Sequence, residues 1–236
     1  MSTGTPTTRA DLQARLQSVP RPAPLLDRER ERALTSRQRE ILDQLGGLFE
    51  NGFTHLTMAE IASRLSCSLR TLYELAPSRD ELVLMVVDRN LWRVGRRAAS
   101  ALDEDMAPLD AIRSYLRAAT VAVVSVTPAV TRDLASIPAG RDMYEAHSDY
   151  IVGITRCLLD LAIERGDISP VDTAALARVM AGVGRDFSRA EVISTLCSSP
   201  KEAADEVVDV ILRGLQGLRS DSSSAEASSV RRAGRA

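Results

Sequence analysis

The residues with the most pointed arrangement lie between Thr57 and Tyr73. Two very short helical stretches, about 58–65 and 68–74, are separated by Leu65-Ser66-Cys67. Helix, three-residue turn and helix is the arrangement that lets a second helix enter a DNA major groove while the first braces it. The chemistry is recognition rather than bond-making. Catalytic patterns are missing from the sequence: there is no G-x-S-x-G, no H-E-x-x-H and no P-loop. The two histidines, His55 and His147, and the three cysteines, Cys67, Cys157 and Cys197, lack metal-ligand spacing, so no metal and no cofactor are expected. Asp103-Glu104-Asp105 reads as a solvated linker. Cys67 sits in the turn, where it is either a redox-sensitive thiol or a plain small apolar residue.

A recognition helix needs a core to stand on, and the neighbouring residues supply one. Ile61, Ala62 and Leu65 point one way on the first short helix, and Leu72 is the matching anchor on the second. Ala62 is small where two crossing helices must approach. Ile41, Leu45, Leu48 and Phe49 have the i, i+4, i+7, i+8 spacing of a covering face. Three capping boxes start helices: Thr35-x-x-Gln38, Thr57-x-x-Glu60 and Ser78-x-x-Glu81. Further starts fall at Pro108, Thr127-Pro128, Pro170 and Ser199-Pro200. Stops fall at Gly52, Pro138-Ala139-Gly140, Gly166 and Gly217.

These signals predict nine helices, at about 36–50, 58–65, 68–74, 79–101, 109–125, 129–137, 141–165, 171–197 and 200–217. No segment shows period-two alternation, so the predicted fold class is all-α. A chain that is 44% apolar but only 3% aromatic agrees, because Ala and Leu favour helices. The predicted organisation is a flexible Arg- and Pro-containing tail (1–34), a helix-turn-helix head (35–85), a regulatory and dimerisation domain (86–218) and a disordered tail (219–236). Within the first tail, 11–19 and 26–34 are candidate short helices.

Net charge is −2, which excludes a polybasic binder on the average. Residues 1–100 nevertheless carry +3 and residues 101–236 carry −5. Widely spaced cysteines without CxxC, and the lack of a secretory apolar segment or an 18-residue apolar run, predict a reduced, cytoplasmic protein without a membrane span.

Arg39-Glu40-Ile41-Leu42, Leu48-Phe49, Gly52-Phe53, Leu56-Thr57-Met58-Ala59-Glu60-Ile61-Ala62, Ser68, Thr71-Leu72-Tyr73 and Pro77-Ser78-Arg79-Asp80-Glu81-Leu82 resemble, in order and spacing, the head of the tetracycline-repressor (TetR) family. The resemblance covers about residues 36–85. Three positions depart from the family pattern: Ser66 for the usual Gly of the turn, Ala76 for the usual Phe, and Arg79 for the usual Lys. The resemblance implies a homodimeric DNA-binding regulator, a repressor released from a near-palindromic double-stranded operator by a small effector. It assigns DNA contact to Arg37, Thr57, Ser68, Leu69, Arg70, Thr71, Tyr73, Ser78 and Arg79. Base reading falls to Ser68, Leu69 and Arg70, where Arg70 can fork onto a guanine and Leu69 can touch a thymine methyl. Phosphate contact falls to the others.

In that family the last two long helices form a four-helix bundle across the dimer. Here Val208, Ile211, Leu212 and Leu215 form the stripe expected at the interface, though such a stripe also suits an internal core. The expected effector pocket has Trp92, Tyr115, Met143, Tyr144, His147 and Met180 as candidate lining, residues that equally suit plain core. So few aromatics favour an aliphatic or otherwise apolar effector. A helical interaction protein with a degenerate head, or an all-helical enzyme, are the competing functions.

Overall fold

A computed structural model of the chain describes residues 9–103, 106–124 and 127–233. Among these residues there are helices and no strands. Twelve helices are found where nine are predicted: α1 (Arg9–Ser18), α2 (Arg28–Ala33), α3 (Ser36–Leu48), α4 (Met58–Arg64), α5 (Leu69–Leu75), α6 (Arg79–Ser100), α7 (Pro108–Val124), α8 (Pro128–Ala135), α9 (Pro138–Glu164), α10 (Thr173–Phe187), α11 (Ala190–Ile193) and α12 (Pro200–Ala233).

The capping signals act locally. The Thr35 and Thr57 boxes are both closed, with the hydroxyl accepting from the third backbone N–H and the Gln38 or Glu60 side chain reaching back. Three boundaries differ from the sequence reading. Pro138-Ala139-Gly140 starts α9 rather than stopping α8, because Pro at the first helical position lacks only an N–H that had no partner. The single helix predicted at 171–197 is broken after Phe187. There the Ser188 hydroxyl donates to the Gly184 carbonyl, and extended Arg189 pairs with Asp186 on one side and Glu191 on the other. Finally, α12 runs on to Ala233 through residues expected as a disordered tail.

Two cores form. The first joins α3, α4 and α5 to the first half of α6 and to α8, around Ile41, Leu45, Phe53, Ile61, Leu72 and Leu82. The second joins α7, α9, α10 and α12, around Ile112, Tyr115, Leu158, Leu159 and Leu212. Helix α6 belongs to both, through Leu82–Val87 at one end and Ala98 at the other.

The segment expected as a flexible leader is tied down from α1 onward. Leu12 is buried in the second core, and Arg15 pairs with Glu164 at 2.7 Å. Val19 packs so tightly on α9 that its Cγ1 would lie 2.6 Å from a Cβ on Gly153. Leu26 is buried in the first core. Residues 1–8 lie outside the described residues.

The stripe on α12 faces inward. Val208, Leu212 and Leu215 are buried within the chain, and Ile211 packs on the same core. Arg113 and Arg117 of α7 each reach the Asp209 carboxylate at 2.8 Å and hold α12 in that rotation. These residues are therefore internal core, not a surface awaiting a partner. The outward faces of α10 and α12 carry Val179 (56% exposed) and Val210 (58% exposed) instead.

Candidate nucleic-acid interface

The turn between α4 and α5 is closed by backbone bonds. The Cys67 N–H donates to the Ala62 carbonyl at 3.0 Å and the Ser66 N–H to the Ser63 carbonyl at 3.2 Å. This paired pattern ends a helix through one left-handed residue. Ser66 is that residue, with φ of 50°, where the family pattern has Gly. A brace from outside the turn holds it. One Arg37 nitrogen donates to the Leu65 carbonyl at 3.0 Å and the Ser66 carbonyl at 3.3 Å, while the other meets Glu40. Arg37 is thus committed to positioning the turn. Cys67 packs against the first core, and burial pushes its thiol pKa up despite nearby Arg37, which works against an easily oxidised thiolate.

Helix α5 follows directly. Ser68 caps it, accepting from the Thr71 N–H at 3.1 Å and sharing a hydroxyl–hydroxyl bond of 2.8 Å with Thr71. Leu72 and Leu75 are buried beneath it, as is Ala76. A small residue therefore fits at position 76 without leaving α5 unsupported. The opposite face is open: Leu69 is 42% exposed and Tyr73 54% exposed. The Arg70 side chain is 89% exposed, and only its Nε is engaged, to Glu74 at 3.0 Å. An exposed pair of this spacing is worth a few tenths of a kcal/mol, so the guanidinium fork can exchange it for a better acceptor.

The two flanking helix starts are more committed. The Thr57 N–H and hydroxyl both donate to Glu60 at 2.8 Å, and the bond from the Thr57 backbone is the main reason the Glu60 carboxyl sits below its ordinary range. Ser78 caps α6. Arg79 binds the Thr54 and Leu56 carbonyls at 3.1 and 3.4 Å and Asp80 at 2.7 Å, fastening the loop before α4 to the start of α6. So Ser68, Leu69, Arg70, Thr71 and Tyr73 share one accessible element, with Thr57, Ser78 and Arg79 at two nearby helix starts. Arg37 and Arg79 are turned to backbone carbonyls.

Sequence reasoning missed the link between this head and α8. Asp133 Oδ2 accepts from the Phe53 N–H at 2.7 Å, the Thr54 N–H at 3.0 Å and the Thr54 hydroxyl at 3.2 Å. Burial opposes the charge of Asp133, but these three donors outweigh it and its pKa falls below the ordinary value. Gly52 makes the approach possible, with φ of 88° and Asp133 Oδ2 2.7 Å from where a Cβ would stand. A single Asp in a helix that reads as a surface element carries no sequence signal for this.

In the larger domain the expected pocket residues separate. Tyr115, Tyr144 and His147 line one cavity of about 50 Å³, together with Leu91, Val94, Ile151 and Arg185. Trp92 lies in a neighbouring cleft, Met143 packs on the first core, and Met180 is buried in the second. His147 is not a surface histidine: its Nε2 lies 2.9 Å from Oδ1 of buried Asp88, and the Trp92 ring stands edge-on at 5.6 Å. The other Asp88 oxygen accepts from the Leu25 N–H at 2.8 Å. Asp88 therefore joins the leading segment, α6 and α9.

A short capped helix pair on a third helix, with a larger helical domain behind it, defines an all-α protein of the helix-turn-helix class. Solved structures narrow the fold to that of TetR-family regulators. A bacterial regulatory protein in the TetR family from Rhodococcus RHA1 aligns with a TM-score of 0.61 at 20% identity, covering 77% of this chain and 98% of its own. The TetR-family transcriptional regulator PfmR from Thermus thermophilus aligns with a TM-score of 0.59 at 22% identity, covering 74% and 98%. A TetR transcription regulator from Haloarcula marismortui aligns with a TM-score of 0.62 at 16% identity, covering 77% and 99%. No family model and no curated protein matches the chain.

Proposed function

We propose that this chain is a sequence-specific DNA-binding transcriptional regulator, a repressor that binds a near-palindromic operator as a homodimer and leaves it when a small, mostly apolar effector binds. The observation that carries the reading is α5. Its apolar side is locked by Leu72 and Leu75, its start is capped by Ser68, and its free side presents Leu69, Arg70 and Tyr73. Arg70 and Leu69 read base edges, with Arg70 forking onto a guanine. Thr57, Thr71, Tyr73 and Ser78 meet phosphates, while Arg37 and Arg79 hold the turn and the preceding loop in place. The fold shared with TetR-family regulators supports the same reading. Ser66 adopting the left-handed turn and Ala76 being buried support an intact head over the competing helical interaction protein.

A head of this size reads a few base pairs, so a two-fold dimer with recognition helices about one DNA turn apart follows. The outward faces of α10 and α12 suit the contact: exposed Val179 and Val210 lie among Gly182, Gly214 and Gly217, and at each of these glycines an added Cβ would meet nothing within 4 Å. Val210→Glu is expected to yield monomers in sedimentation; a dimer that survives it places the contact elsewhere. The effector enters at Tyr115, Tyr144 and His147 by widening their cavity, which at about 50 Å³ holds no more than a water or two, and the Asp133 contact is the route by which that change reaches the head.

Selection from random duplex DNA tests the reading. Enrichment of a two-fold symmetric sequence is expected. No enrichment at low salt would remove the regulator and leave a helical interaction protein.

A further inference from the structure

The leading segment and α6 enclose a cleft of about 510 Å³ that the DNA-binding reading does not use. Its wall holds four arginines, Arg21, Arg28, Arg89 and Arg96, and two carboxylates, Glu31 and Asp88. Both carboxylates are already engaged: Asp88 by His147 and the Leu25 N–H, Glu31 by Arg89. Arg89 has a second partner in Asp43 at 2.6 Å. Arg21, Arg28 and Arg96 have no carboxylate partner among the described residues. All three are solvent-exposed, and they set three guanidinium charges around one concave space where a single anion can meet more than one of them.

Trp92 stands on the same wall, but its indole N–H is shut off from solvent and so does not open into the cleft. The acceptors that the cleft lacks are those of its guanidiniums. DNA does not supply them, because Trp92 stands thirteen residues, and hence about 20 Å of helix rise, beyond the start of α6 that flanks the head.

We propose that this cleft is a binding site for a compact polyanion, a small molecule carrying at least two negative charges as phosphate or carboxylate groups. Arg21 and Arg28 come from the leading segment and Arg96 from α6, so the anion fastens the segment ahead of the head to the helix that joins the two cores. Planar guanidiniums suit either group because they give two parallel N–H donors to neighbouring oxygens.

The full-length chain titrated calorimetrically with pyrophosphate and, separately, with citrate at constant ionic strength tests this. Saturable binding with one site per chain is expected for at least one probe, and the stronger of the two assigns phosphate or carboxylate preference. The double variant Arg21→Gln/Arg96→Gln is expected to weaken it roughly ten- to hundredfold. Arg70→Ala, on the head, is expected to leave it unchanged. No saturable binding of either probe, binding indifferent to the double variant, or binding lost in Arg70→Ala would overturn the proposal, whatever the operator selection returns.

Discussion

In the head, the caps and the turn are closed by residues three to five positions apart: Thr57 with Glu60, Cys67 with Ala62, Ser68 with Thr71, Ser78 with Glu81. The contacts that tie separate elements together span far more chain, from 28 residues for Arg37 and the Leu65 carbonyl upward. Asp88 and His147 are 59 residues apart, Asp133 and Phe53 are 80, Arg113 and Asp209 are 96, and Arg15 and Glu164 are 149. A local motif specifies its own geometry, whereas a distant pair needs the whole fold before either residue acquires a role. The helix-turn-helix unit is accordingly shaped largely by its own stretch of chain, and the long-range pairs set how it is joined to the rest.

Breaking the head's own support should have the largest effect. Leu72 is fully buried beneath α5, so Leu72→Ala is expected to cost about 2–5 kcal/mol in urea denaturation. A cost under 1 kcal/mol would mean that α5 does not rest on this core.

Breaking the link comes next. Asp133→Ala leaves the Phe53 and Thr54 N–H groups without their acceptor and is expected to cost about 2–4 kcal/mol. It should also blunt any effect of an effector on DNA affinity. Because the folded pKa of Asp133 is depressed, its contribution is full above the unfolded value of about 3.9 and is lost as pH falls through the lower folded value. The difference in stability between the parent chain and Asp133→Ala should therefore be constant near neutrality and shrink on acidification below pH ~4. A difference that grows on acidification contradicts the assignment.

The smallest change sharpens the comparison from the other side. Ser66→Gly removes the strain of a side chain at φ of 50° and should stabilise the head by about 0.5–1 kcal/mol. Arg37→Ala should do the reverse, by freeing the carbonyls that it braces. If Ser66→Gly destabilises, the turn is not held as described.

This contrast explains what could be read in advance. The helix-turn-helix unit and the caps at Thr35, Thr57, Ser78, Thr127 and Asp172 are short-range events, and all but the Asp172 cap were legible. The stripe of Val208, Leu212 and Leu215 announced burial but not against what; the Arg113 and Arg117 pairs with Asp209 decide that it faces inward. Asp88 sits after an apolar run, and only the return of α9 with His147 and of Leu25 gives it partners. The break after Phe187 was hidden because Arg189 looks like any surface arginine until Asp186 and Glu191 flank it. For Arg37 and Arg79 the charge is visible in a sequence, but the backbone carbonyls that each one holds are not.

Arg70 tests most directly whether the exposed side of α5 reads DNA sequence. Binding of the parent chain and of Arg70→Ala should be measured by fluorescence anisotropy on the selected symmetric duplex and on a scrambled duplex at the same salt. A loss of about 1–3 kcal/mol, roughly ten- to hundredfold, is expected on the selected duplex. A much smaller loss is expected on the scrambled one, with Tm unchanged because Arg70 is almost fully exposed. Equal losses on both duplexes, or none on either, would contradict base reading by α5.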